Sequence, residues 1–229
     1  METYDALIQT LALTMGVAWA SGINLYAAIL VLGLMGSTGH MELPPGLEVL
    51  SNPLVIGAAG LMYMVEFFAD KVPGVDTGWD TIHTLVRIPA GAMLAAGAVG
   101  DVTPAIEIAA GIVGGGVAAG SHFAKAGTRV LINTSPEPVS NWAASITEDI
   151  AVFTGLWAAL NNPLVFLGLF ALFIILLIWL LPKLWRGIKR VVGFFVNLAG
   201  GKEAEPAPKL EPDPDPSQEA VSLPPTDTK

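Results

Sequence analysis

The segment Pro163 to Leu181, PLVFLGLFALFIILLIWLL, contains no charged residue and constrains the fold more than any other part of the chain. An α-helix needs about 20 mostly apolar residues to cross the hydrocarbon core of a bilayer, and this segment has that length. The composition agrees, because 53% of the residues are hydrophobic and only 14% are charged. Such segments are too long for barrel strands, so the sequence predicts an all-α integral membrane protein.

Apolar stretches and turn-forming residues together predict a six-helix transmembrane bundle. The predicted spans cover about residues 6–35, 53–71, 78–100, 104–126, 140–160 and 163–183. Turn signals such as Pro44-Pro45-Gly46 and Asn161-Asn162-Pro163 separate them. We expect the first span to be retained rather than cleaved as a signal, because no Lys or Arg precedes it and it continues to Met35.

The positions of the basic residues predict the orientation of the spans. Lys71 and Arg87 lie around the second connection, Lys125 and Arg129 around the fourth, and the remaining ones follow Leu181. With six crossings these places share one side of the membrane, which the positive-inside rule makes cytoplasmic. Both termini are therefore predicted to be cytoplasmic.

Two segments follow the predicted spans. Residues 184–199 are basic and aromatic and predict an interfacial helix on an anionic leaflet. Residues 200–229 are rich in Pro, Glu and Asp and predict a disordered tail. That tail carries much of the net charge of −9, so the charge does not identify a partner, and we expect no nucleic-acid binding.

A weak internal repeat relates spans two and three to spans four and five. GLMYMVEFFADK, which begins at Gly60, resembles GGVAAGSHFAKA, which begins at Gly115. The segments that begin at Trp79 and Trp142 also share Trp, Thr and a closing Ala-Ala. The repeat predicts two helical hairpins of equal orientation, as in parallel-repeat transporters.

Polar residues interrupt the predicted first span. Thr10, Thr14, Ser21 and Asn24 follow one another at spacings of four, seven and three residues, which places them on one face of a helix. The sequence therefore predicts a polar seam that reaches the middle of the membrane at Ser21 and Asn24.

Charged and polar residues also lie inside the third and fifth predicted spans. Three- and four-residue spacing places most of them on one face of each helix: Asp80, His83 and Arg87 in the third span, and Asn141, Ser145 and Glu148, with Asp149 adjacent, in the fifth. An isolated ionised group at this depth costs at least about 2.5–3.5 kcal/mol, so such groups should be paired or hydrated. We predict that Arg87 pairs with Glu148 or Asp149, and that the polar seam faces these charges.

A second cluster is predicted at the cytoplasmic ends of spans two and four. Its members are Glu66, Asp70, His122, Lys125 and Arg129. The repeat alignment matches Asp70 with Lys125, which predicts a salt bridge between them. Long side chains near the interface can reach water, so a purely structural role is an equal alternative.

The sequence favours a role other than catalysis. It has no cysteine, no phosphate-binding loop and no HExxH or G-x-S-x-G signature, and we expect no cofactor. Asp76, Asp80 and His83, with Glu148 nearby, could hold a hydrated divalent ion. Ion pairs with Arg87 explain the same carboxylates more simply, so no metal site is predicted.

The polar motifs resemble those of a known family. Ser21-Gly22-x-Asn24-x-Tyr26, DKVPGVDTGWDTIHTLVR, and HFAKAGTRVLINTSPEPVSN followed by Glu148-Asp149 are similar to a bacterial membrane family, domain of unknown function 4126. The resemblance covers about Leu7 to Leu181. It implies a multi-pass protein of the bacterial inner membrane and supports the choice of residues, but it implies no activity.

Three functions remain open from the sequence. The first is a small transporter or channel for a small polar solute or ion, with the polar seam facing the charged spans. The second is a structural or assembly protein whose buried ion pairs specify helix packing. The third is a membrane-embedded enzyme acting on a phosphate-bearing lipid. The expected partners are the lipid bilayer, a small solute or ion, and further copies of the chain.

Overall fold

The computed structural model describes residues 2–72, 74–134 and 138–198, and these contain helices and turns but no strand. Six α-helices and one 3₁₀ helix follow one another in the order α1 Glu2–Ser37, the 3₁₀ helix Pro45–Ser51, α2 Pro53–Ala69, α3 Val75–Ala98, α4 Pro104–Ile132, α5 Pro138–Asn161 and α6 Pro163–Leu198. The all-α prediction is confirmed for this part of the chain. The predicted tail at 200–229 lies outside the described residues.

Several of these helices are long and apolar enough to cross a membrane. Among the described residues four qualify, at 3–37, 104–132, 139–161 and 163–194, and the 3₁₀ helix together with α2, bent by 71°, makes a possible fifth. Helix α3 is not in this set. The apolar helices suggest a multi-pass membrane protein.

The chain divides into two units, residues 1–192 and 193–229. The first contains α1 to α5 and most of α6. In the second, the described part is the end of α6. Helix α6 runs without a break from the predicted sixth span into the predicted interfacial segment, through Pro182.

Helix α1 turns back on itself at Asn24. Asn24 has φ −146° and ψ 95°, an extended conformation inside an otherwise helical segment. A straight helix would separate Ala6 from Met35 by about 43 Å at 1.5 Å per residue. Both instead line one crevice of about 390 Å³, together with Gly100 and Asn161. The two halves of α1 therefore form a hairpin whose ends lie beside the ends of α3 and α5.

Asn24 and a glycine permit this hairpin. The Asn24 side-chain oxygen accepts a hydrogen bond from the backbone N–H of Ala27 at 3.0 Å and caps the second half of the helix. A Cβ on Gly22 would collide with Ser121 and with the backbone carbonyl of Ala118. The absence of a side chain at Gly22 thus lets the first half pack directly against α4.

The hairpin is the centre of the apolar core. Its buried residues pack with buried residues from the 3₁₀ helix, α3 and α5 in one cluster that includes Leu13, Val17, Leu25, Leu32, Leu47, Leu94, Val152 and Leu156. Polar groups at the apex of the hairpin are consequently held inside the protein.

Helix α6 contacts the other helices mainly through large side chains. Phe166 and Phe173 meet the Trp19 ring edge-on, with centroids 6.3 and 6.2 Å away. Further along, Leu177 lies against Gly120 and Leu184 against Gly127. These spaced contacts leave apolar crevices on both sides of α6.

Candidate functional site

Seven titratable side chains from α2 to α5, together with Asp70 from the turn after α2, form a buried charge network. We define the charge network as Glu66, Asp70, Asp80, Arg87, His122, Lys125, Arg129 and Glu148. Seven of these residues are at most 5% exposed, and the side chain of Glu148 is 18% exposed. The charged residues of the third and fifth predicted spans and the second predicted cluster, which the sequence analysis separates, therefore meet in one site.

Arg87 pairs with carboxylates of α2 and of its own helix. Its Nη2 lies 2.6 Å from Glu66 Oε1, and its Nη1 lies 2.8 Å from Asp80 Oδ1. Asp80 precedes Arg87 by two helical turns, so the long guanidinium side chain reaches back along α3. The predicted pairing of Arg87 with Glu148 or Asp149 is wrong.

Lys125 is the centre of the network. Its ammonium nitrogen lies 2.8 Å from Asp70, 3.2 Å from Glu66 and 3.6 Å from Asp80. The predicted Asp70–Lys125 salt bridge is confirmed. One cation on α4 thus links carboxylates from α3, from the end of α2 and from the turn that follows it.

Arg129 joins α5 to the turn after α2. Its Nη2 lies 2.6 Å from Glu148 Oε2, and its Nη1 donates to the backbone oxygens of Asp70 at 3.0 Å and of Asn141 at 3.1 Å. Breaking one partner of such a buried pair costs about 3–5 kcal/mol, because the other charge is left uncompensated. The network therefore fixes the relative positions of α2 to α5.

The hydrogen bonds of His122 assign it a neutral charge. Its Nδ1 lies 3.2 Å from Arg87 Nη1, which can only donate, so Nδ1 accepts. The proton then resides on Nε2, 2.7 Å from Thr84 Oγ1, and the Thr84 hydroxyl donates to the backbone oxygen of Asp80. With His122 neutral, four carboxylates face three cations, and the fully ionised network carries one excess negative charge.

The apex of the α1 hairpin touches the network. Lys125 Nζ lies 3.1 Å from the backbone oxygen of Ile23, where the first half of α1 ends. A cation at this position satisfies a terminal carbonyl and interacts favourably with the helix dipole. One residue further on, the Asn24 amide donates to Asp149 Oδ1 at 3.1 Å.

Asp149 is a buried carboxylate without a described salt bridge, although Lys71 and Lys125 lie near enough to interact with its charge. It is 9% exposed, and its described contact is the Asn24 amide; no salt bridge links it to a described Lys or Arg. Its Oδ2 has no hydrogen-bond partner within the described chain. The same holds for one oxygen each of Glu66, Asp70 and Asp80. Several buried carboxylate oxygens therefore have no hydrogen-bond donor among the described residues.

The other predicted site residues have local partners. Ser21 donates to the Ala18 backbone oxygen at 2.8 Å, and Thr14 is buried without a described partner. His83 lies 3.1 Å from the Tyr26 hydroxyl and stacks on Trp79. Of the predicted seam, Asn24 contacts a charged residue.

Asn141 and Ser145 lie near the ends of α2 and α4. Asn141 donates to Asn133 at 2.7 Å, and Asn133 in turn donates to Asp76 at 2.8 Å. Ser145 accepts from the Lys71 ammonium at 3.2 Å. The predicted site omitted Lys71, Thr84 and Asn133. Thr84 and Asn133 lie four residues after Asp80 and Arg129, so helical spacing is the signal that could have found them.

The acidic side chains of the charge network are arranged for pairing rather than for chelation. Among the described residues, no group of three or more His, Asp or Glu is placed to hold a metal ion. Its carboxylates instead face Arg and Lys nitrogens.

Fold and site together define a helical protein with membrane-like helices, a broken, doubled-back first helix and a buried charge network. The family described as Domain of unknown function (DUF4126) matches residues 11–183, which is most of the chain. The protein belongs to this family, and the resemblance seen in the sequence is confirmed. Comparison with curated proteins and with solved structures gives no match.

Proposed function

We propose that this protein is a small multi-pass membrane transporter or channel for a small cation, with the proton as the first candidate. The observation that carries the proposal is the apex of the α1 hairpin, where Asn24 donates to Asp149, a buried carboxylate without a described salt bridge, and Lys125 caps the preceding half-helix. Non-helical backbone at membrane depth is tolerated only inside protein or along a water-filled cavity, and transporters use such half-helix ends to bind ions.

The charge of the site favours a cation over an anion. Arg87, Lys125 and Arg129 are each within 2.8 Å of a carboxylate oxygen, and the described partners of the buried Lys71 are neutral groups. When Lys71 and Asp149 are counted with the charge network, one excess negative charge remains, and it favours binding of a positive ion over an anion. Intramembrane carboxylates of this kind commonly form proton relays.

Our proposal revises the predicted topology. Because both ends of α1 lie beside the ends of α3 and α5, we propose five crossings by α2 to α6, with α1 as a hairpin inserted from one side. The exposed Lys183, Arg186, Lys189 and Arg190 then favour a cytoplasmic C-terminus and an N-terminus on the opposite side.

Location, repeat and assembly complete the proposal. We place the protein in the bacterial inner membrane. The α2–α3 and α4–α5 hairpins are proposed repeats, and the Asp70–Lys125 salt bridge between equivalent positions supports this. We also propose that the chain associates with further copies of itself.

The structural alternative keeps one specific observation in its favour. The charge network is almost completely buried and joins α2 to α5, as a device for helix packing would. The alternative predicts that removing the Asp149 charge leaves a folded protein without any change in ion permeability, because it assigns that carboxylate no task beyond packing.

Ion flux through proteoliposomes separates the two functions. Purified protein is reconstituted with a pH-sensitive dye inside the vesicles, and proton entry is measured under a pH gradient. Potassium and sodium are tested separately by their own gradients. We expect wild type to raise the flux of one of these ions, and Asp149→Asn, which keeps the shape of the side chain, to abolish that increase.

The matched control is Asp101→Asn, the same change at an exposed residue between α3 and α4. It should conduct as wild type does. Wild-type vesicles no leakier than protein-free vesicles to all three ions would refute the transport proposal. Equal ion flux through wild type and Asp149→Asn would show that Asp149 is not part of the transport site.

A further inference from the structure

The groove between α4 and α6 is apolar and open at the protein surface. It has a volume of about 500 Å³, within the range of small-molecule sites, and its walls include Phe123, Gly127 and Val130 of α4 and Leu184, Trp185 and Ile188 of α6. Almost all of its accessible surface is apolar. The groove thus suits a hydrocarbon chain rather than a polar solute.

The packing of two glycines and the position of Pro182 account for the groove. Gly127 faces Leu184, and Gly187 faces Leu131, so α4 and α6 approach closely at these two points. Pro182 lies inside α6 and cannot donate its share of the helical hydrogen bonds. The walls between the contact points remain separated.

Two exposed cations contact residues that line this groove. Arg186 Nε donates to the backbone oxygen of Pro182 at 3.2 Å, and Lys189 Nζ lies 5.3 Å from the centre of the Trp185 ring. Pro182 and Trp185 both line the groove. Helix α6 contains no acidic residue, and neither cation forms a salt bridge with a described residue. Their charge is free to meet a ligand.

A second apolar crevice of the same helix serves as a comparison. It has a volume of about 460 Å³ and is lined by residues such as Trp19, Gly155 and Phe170, with no charged residue among them. Both crevices could receive an acyl chain by shape. Of these two crevices, only the α4–α6 groove has cations beside its apolar wall.

We infer that the α4–α6 groove binds an anionic phospholipid. One acyl chain lies along Phe123, Gly127 and Ile188, and the phosphodiester headgroup contacts Arg186 and Lys189. Trp185 lies at the boundary between the two parts, as aromatic residues do at membrane interfaces. The inference does not depend on the transport proposal, because the groove and the charge network share no residue.

Lipid binding to the purified full-length chain tests the inference. Delipidated protein in detergent is titrated with phosphatidylglycerol or with phosphatidylcholine of the same chains, and bound lipid is counted by native mass spectrometry. We expect one phosphatidylglycerol to bind at least tenfold more tightly than phosphatidylcholine. In Arg186→Gln/Lys189→Gln its affinity should fall about thirtyfold, because each cation near a membrane surface contributes roughly a factor of five.

The matched control is Lys183→Gln/Arg190→Gln, which removes two exposed cations of α6 without a described contact to the groove wall; Lys183 lies over the Trp179 ring instead. It should retain the bound lipid. Equal losses in both double variants would show diffuse attraction to a basic helix and would overturn the groove site. A preference for neither lipid would also overturn it.

The acyl-chain part has its own test. Val130→Trp fills the groove and keeps every cation, so it should lose phosphatidylglycerol while eluting as a folded protein in size-exclusion chromatography. If it does not fold, glycerophosphoglycerol, which has the headgroup without chains, is titrated into wild type. Binding of this soluble headgroup as tight as that of the lipid would refute the groove, and its failure to bind would support it.

Discussion

The ammonium group of Lys125 lies 3.1 Å from the carbonyl oxygen of Ile23, the last residue before α1 breaks at Asn24. The same nitrogen lies 2.8 Å from Asp70. One side chain therefore holds the apex of the α1 hairpin and neutralises the buried carboxylates. A movement of the apex would displace this ammonium group and so change the charge balance of the network. A change in the charge of the network would in turn affect the position of the apex.

Lys125→Met should destabilise the protein by about 3–5 kcal/mol, since it leaves buried carboxylates of the network without their shared cation. The free energy of unfolding is measured by titration with sodium dodecyl sulfate in mixed micelles. Arg190→Met, at an exposed position, is the control and should change stability little. If Lys125→Met lowered the free energy of unfolding as little as Arg190→Met does, Lys125 would not be compensating these carboxylates.

The pair Arg87 and Glu66 should show a strong coupling energy. Arg87→Gln and Glu66→Gln each remove the partner at 2.6 Å from a buried charge, so the double variant should be less destabilised than the sum of the two. Direct buried contacts give couplings of about 0.5–3 kcal/mol. The comparison is the cycle of Arg87→Gln with Glu148→Gln, since Glu148 pairs with Arg129 instead. A larger coupling in that second cycle would contradict the observed pairing.

Helical spacing predicted which faces carry charge, but not how those faces meet. Asp70 and Lys125 could be paired from the sequence because the repeat alignment gave a relation between two helices. Arg87 could not, because its reach back to Asp80 within α3 and across to Glu66 depends on how α2 and α3 are rotated.

The hairpin of α1 could not be predicted from the hydropathy of the sequence either. Asn24 was interpreted as one member of a polar seam, whereas it caps a new helix. Hydropathy cannot distinguish one long span from two apolar half-helices, because both bury the same residues. An Asn inside an apolar run is a signal for such a break, since Asn is among the best N-cap residues.

Gly22→Ala should destabilise the protein by about 1–3 kcal/mol. The added methyl group meets Ser121 and the Ala118 backbone on α4, and such overpacking forces the helices apart. Gly116→Ala is the matched control, because a Cβ there has nothing within 4 Å. Thermal unfolding in detergent should show a lower midpoint for Gly22→Ala alone. Unchanged midpoints in both variants would mean that α1 and α4 are not in direct contact at Gly22.

The proposed topology predicts which residues are reached from each side of the membrane. The chain has no cysteine, so single cysteines can be introduced at exposed positions on each proposed side: Asp5→Cys and Thr38→Cys beside the ends of the α1 hairpin, and Val72→Cys and Arg190→Cys on the opposite side. A membrane-impermeant thiol reagent is applied to intact cells, or to cells opened by permeabilisation.

Asp5→Cys and Thr38→Cys should be labelled from the same side, because α1 enters and leaves the bundle there. Val72→Cys and Arg190→Cys should be labelled from the other side, and the positive-inside rule makes that side cytoplasmic. A first helix that crosses the membrane once would place Asp5 with Arg190 and opposite Thr38. Labelling of Asp5→Cys and Arg190→Cys from one side would therefore restore six crossings and exclude the hairpin.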